Sequence, residues 1–122
     1  MPIKGVGEVT LFAPDPEGYW TWLTTAMGAV LTRRSAHLIQ GVIASVPVTV
    51  HPADAKSPAG PGAQVVYWLV ENLEEVLAHL QAHGAHPYRG PIVGEDGVRV
   101  AQVQDPWGNV WGFLEEGDGH GK

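Results

Sequence analysis

Apolar and polar positions along the chain run through one order of elements twice. Residues 7–13, GEVTLFA, read as a strand, and Asp15-Pro16 offers an N-cap followed by proline at the first helical position. Tyr19, Leu23, Ala26 and Met27 recur at helical spacing, and Gly28 supplies a stop. AVLTRR (29–34), HLIQGVIAS (37–45) and VPVTVH (46–51) read as three short strands. HPADAKSPAGPG (51–62) is rich in Pro, Gly and Ala and reads as a connection. The order then returns. QVVYWLV (64–70) is a strand, Asn72 a cap, Leu73, Val76, Leu77 and Leu80 a helical stripe, and Gly84 a stop. Segments around PIV (91–93), GVRVAQVQ (97–104) and NVWGFLE (109–115) supply the later strands. Two copies of βαβββ predict an α+β protein. Module one covers about residues 3–51, the linker 52–62 and module two about 63–115. All fall in a single domain over 1–116, and the Gly-rich end at 117–122 is expected to be a flexible tail.

Composition narrows the function. A net charge of −6, with Arg33-Arg34 as the basic pair, argues against a nucleic-acid partner and favours cationic compounds mildly. With no cysteine there is no disulfide, thiolate metal site or thiol nucleophile. No stretch approaches the roughly 18 apolar residues of a membrane span, and nothing resembles a signal peptide, so a soluble cytoplasmic protein is expected.

The duplicated βαβββ plan, the cap-and-helix run VENLEEVLAHLQAHGA and the DPWGN turn before the last strand together resemble the vicinal oxygen chelate superfamily. That superfamily contains glyoxalase I, extradiol dioxygenases and the bleomycin resistance proteins, and the resemblance spans about residues 3–115. It implies two curved mixed sheets with helices on the convex side, a cup for a ligand or metal, and a homodimer. Catalytic members hold a divalent metal with His, Glu or Gln from the first and last strands of each module. Carried onto this chain, the first-strand position falls on Glu8, seven residues before Asp15, and in module two on Val65, or on Gln64 if the register shifts by one. The last strand of module one offers Thr49 or His51. In module two the position three residues after the Asn of DPWGN, a glutamate in metal-binding members, holds Gly112. Glu8, His51 and a shifted Gln64 are few donors for a divalent cation, so no cofactor is expected, with a bound metal the lesser alternative.

Strand alternation then predicts the lining. Glu8, Thr10 and Phe12 face one way and Val9 and Leu11 pack under the helices; Val110, Gly112 and Leu114 share a face, as do Val65, Tyr67 and Leu69. With Thr49 and His51 added, this is a mostly apolar cup with a few polar points, suited to a small organic guest, aromatic or cationic. Gly112 is expected to leave room at its floor. A Glu8 facing an apolar cup would have its pKa raised by desolvation and form an acid–base pair with His51; the competing expectation is a carboxylate exposed at an edge. Trp107, at the turn, is a candidate ligand contact or a cover for a dimer seam, while Trp20, Trp22, Trp68 and Trp111 read as core. His79 and His83 stand four apart without the glutamate of a zinc motif and are expected to be solvated. Three functions remain open: a metal-free binding or sequestering protein; a lyase, isomerase or dioxygenase with atypical or no metal ligands; and an interaction module with a filled cup.

Overall fold

A computed structural model of the protein describes residues 2–36 and 38–117; the expected tail lies, beyond Gly117, outside the described residues. The chain separates into two compact units, residues 1–59 and 60–122.

Unit one contains β1 (Val9–Ala13), α1 (Pro16–Met27), β2 (Val30–Arg34), β3 (Ile39–Ile43) and β4 (Val46–Pro52). The strands form one sheet in the order β1-β4-β3-β2. β1 pairs with β4 in parallel and the other pairs are antiparallel. α1 starts where the sequence places its cap: Asp15 accepts a hydrogen bond from the Gly18 N–H at 3.1 Å, and Pro16 opens the helix. It ends on Gly28, whose left-handed backbone (φ 70°) lets its N–H reach the Leu23 carbonyl. Tyr19, Trp20, Trp22 and Leu23 are buried, as are Ile39, Val48 and Val50 of the sheet. Gly41 of β3 makes the approach of α1 possible, because a Cβ there would lie 2.5 Å from the Trp20 ring and 2.2 Å from the Val30 carbonyl oxygen.

Unit two repeats the plan with β5 (Tyr67–Val70), α2 (Leu73–Ala82), β6 (His86–Val93), β7 (Arg99–Gln104) and β8 (Val110–Glu115), ordered β5-β8-β7-β6. Asn72 caps α2 by accepting from the Glu75 N–H at 3.0 Å. Glu115 of β8 accepts from the Leu73 N–H at 3.0 Å and pairs with Arg99, which also binds Glu74, so the end of the sheet is tied to the first turn of the helix. Leu73, Leu80, Ala101, Val103, Trp111 and Phe113 form the core, and Trp68 lies 5.7 Å from Trp111, ring to ring. β6 is longer than the PIV segment the sequence marks. His86 and Pro87 already pair with Gln104 and Val103, and the register then shifts around Arg89. His79 is exposed and His83 half-buried, and the ring Nδ1–H of His83 donates to the His79 carbonyl oxygen at 2.9 Å.

Candidate functional site

The helix-free face of each sheet carries the polar and chemically versatile side chains. In unit one, register places Thr10 beside Thr49 and Phe12 beside His51 across the parallel β1–β4 pair. Partners in register point the same way, so these four side chains share a face, and Gln40, opposite Thr49 on β3, joins them. Thr10 donates its hydroxyl to Glu8 Oε2 at 2.5 Å, and Gln40 Nε2 donates to Thr49 Oγ1 at 3.4 Å. The rings of Phe12 and His51 are 6.1 Å apart at 33°. Thr49 is buried, Phe12 and His51 half-buried, and Glu8 and Thr10 exposed.

Glu8 departs from the expectation of a desolvated base. The Thr10 hydroxyl holds its carboxyl below the usual carboxylate value, against a smaller opposing effect of burial, and Thr49 and the charge of His51 add to the lowering. Glu8 is exposed, so little desolvation competes with its hydrogen bonds. At neutral pH it is a carboxylate, suited to holding a cation and poorly suited to accepting a proton.

In unit two, Tyr67 of β5 lies in register with Gly112 of β8, and Gln102 of β7 flanks Gly112 on the other side. Gln102 Nε2 donates to the Tyr67 hydroxyl at 2.8 Å. Gly112 does not leave room. A Cβ on it would meet Tyr67 Cδ1 at 2.8 Å, Cε1 at 2.9 Å and Val65 Cγ1 at 2.9 Å. The expected gap is closed because the neighbouring strand folds its aromatic ring over the glycine. Val65, half-buried just ahead of β5, is thus on this face, whereas Gln64 is exposed. Val110 and Leu114 lie two residues either side of Gly112 on the same face, both half-buried. Beside them a pocket of about 450 Å³ is lined by Tyr67, Val98, Val100 and Leu114 and by the turn residues Gly94, Glu95 and Asp96.

The DPWGN turn sets the start of β8. Asp105 is buried and accepts from the Trp107 and Asn109 backbone N–H groups at 2.9 and 3.0 Å and from the Trp111 indole at 2.9 Å. Asn109 in turn accepts from the Gly60 N–H at 2.7 Å. Asp105 and Asn109 therefore build the turn, while Trp107 is half-buried at its tip. The structure thus brings together Glu8, Thr10, Phe12, Thr49 and His51 within unit one, and Val65, Tyr67, Val110 and Gly112 within unit two. Gln40, Gln102 and the 94–98 turn were not singled out from the sequence. The signal for the two glutamines is alternation, since Gln40 stands outward in an otherwise apolar strand and Gln102 stands between the buried Ala101 and Val103.

Comparison with known proteins agrees with this architecture. Residues 5–113 match the family model of the glyoxalase/bleomycin resistance protein/dioxygenase superfamily. The chain belongs to that superfamily. Among solved structures of the same fold is the fosfomycin resistance protein FosX from Listeria monocytogenes, complexed with Mn(II) and sulfate. It has a TM-score of 0.78 and 14% identity, covering 95% of this chain and 93% of that one. A glyoxalase/bleomycin resistance protein/dioxygenase family enzyme from Burkholderia phytofirmans PsJN has a TM-score of 0.76 and 15% identity, covering 89% and 96%. TioX from Micromonospora sp. ML1 has a TM-score of 0.69 and 22% identity, covering 91% and 98%. A search of curated proteins found no match.

A metal of the superfamily's kind does not fit unit two. Gly112 and Val65 offer no donor at the positions where the family resemblance puts ligands, and the space above Gly112 is filled by carbon. Among the described residues no three His, Asp or Glu side chains converge as a metal site requires.

Proposed function

We propose that this superfamily member binds or sequesters a small organic molecule, without a catalytic metal. The unit-two pocket carries this reading. It is a hollow of about 450 Å³, open to solvent, with an apolar wall that carries one tyrosine and an acidic rim, and its volume is within the usual range for small-molecule sites. An apolar body with a positive charge matches that lining, and the chain's net charge of −6 acts in the same direction. A homodimer in the cytoplasm belongs to the same proposal; exposed Val30 and Leu31 on β2 of unit one, and Tyr88, Ile92 and Val93 on β6 of unit two, each give a second copy apolar side chains to cover.

A metal-free enzyme using Glu8 and His51 is the second reading, supported by their common face in unit one. The lowered Glu8 pKa disfavours it, because a general base works best with a pKa near the working pH. Calorimetric titration with a panel of organic cations tests the leading reading. Saturable change with at least one compound is expected, and a flat response to every compound would overturn it.

A further inference from the structure

Tyr67 is held on three sides. Its backbone belongs to β5, its ring edge fills the space that a side chain at Gly112 would need, and its hydroxyl accepts from Gln102 at 2.8 Å. It is nevertheless 41% exposed and lines the pocket beside Val98, Val100 and Leu114. A ring fixed in this way presents a flat surface at little further entropic cost, which favours a flat guest over a rounded one. Any side chain at 112 would force the ring from this position, so the glycine and the tyrosine are a matched pair. Where metal-binding relatives are expected to project a carboxylate, this chain presents the edge of an aromatic wall. We propose that Tyr67, seated by Gly112 and Gln102, is the specificity-determining residue of the unit-two pocket and selects a planar aromatic guest over a globular one of the same charge. This rests on the small-molecule reading above and deepens it.

Two measurements test it together. In the first, proflavine, a flat cation, and 1-adamantylammonium, a globular cation, are titrated calorimetrically against the wild-type chain and Tyr67→Leu. Leucine keeps an apolar group over Gly112 but removes the flat face. Proflavine should bind wild type more tightly than the adamantyl cation and lose roughly three- to tenfold in affinity in Tyr67→Leu, while the adamantyl cation changes less than twofold. Equal affinity of the two cations for wild type, or an unchanged proflavine affinity in the variant, would overturn the selection and leave small-molecule binding intact. If neither cation binds wild type, the selection is overturned, and the titration with the wider panel decides the binding reading separately. The second measurement is a thermal cycle of Gly112→Ala, Tyr67→Ala and the double variant. Gly112→Ala should lower Tm by roughly 4–10 °C alone and by clearly less in the Tyr67→Ala background. Equal shifts in both backgrounds would overturn the matched pair whatever the ligand result.

Discussion

Exchanging Asp105 for asparagine replaces one acceptor in the turn ahead of β8 with a donor, and the neighbours of that atom set the consequence. The side chain is 2% exposed; Oδ1 receives the N–H groups of Trp107 and Asn109, and Oδ2 receives the Trp111 indole N–H at 2.9 Å. Asparagine retains one oxygen. If it stays on the backbone side, its NH₂ confronts the indole N–H; if the amide flips, the NH₂ confronts the two backbone donors. A buried donor without an acceptor costs about 1–3 kcal/mol, and the surviving bonds lose the help of the charge. The expected loss is about 2–4 kcal/mol, a large part of the stability of a domain this size. Tm should fall by roughly 6–16 °C, measured by circular dichroism. Trp111 is buried in the same core, so tryptophan emission should follow the same transition. A variant melting within about 2 °C of wild type would refute the account of this turn.

Gly41→Ala should destabilise by about 1–3 kcal/mol, because the new methyl group meets the Trp20 ring and the Val30 carbonyl; an unchanged urea midpoint would show that α1 is free to shift away. Ser45→Gly should raise stability by about 0.5–1 kcal/mol, since Ser45 holds a left-handed backbone (φ 70°) in the turn joining β3 to β4; a fall in Tm would contradict the strain assigned there. Glu8 should titrate below its ordinary value when followed by carbon-detected NMR, and Thr10→Ala should bring it back up. With the folded pKa depressed, any stability from this contact is fully present above the unfolded pKa and is lost as pH falls through the folded one. A Glu8 midpoint at or above that of an unfolded peptide would contradict the hydrogen-bonded carboxylate described for it.

Much of the fold was legible because each module announces its helix with local chemistry. Asp15-Pro16 and Asn72 act through side chains only a few residues from the backbone they cap, so sequence spacing is sufficient to find them. Strand alternation fixed the companions of Thr10 and Phe12 for the same reason, since a period of two needs no tertiary information. What failed depended on packing and exposure, which sequence spacing does not set. The volume above Gly112 belongs to Tyr67, 45 positions earlier, and no rule about glycine in a strand tells which ring will cover it. The pKa of Glu8 depended on whether burial or a Thr10 hydroxyl dominates, a balance set by exposure rather than residue type. The 94–98 turn looks like any polar loop until β7 and β8 bring Val100 and Leu114 beside it.

Metal content decides between an organic molecule, as proposed, and a divalent cation as the ligand of this chain. Wild type and Glu8→Ala, both purified without chelators, would be analysed by inductively coupled plasma mass spectrometry after dialysis. Trace metal, well below one ion per chain, is expected in both proteins. Near-stoichiometric manganese, zinc, nickel or iron in wild type that disappears in Glu8→Ala would contradict it.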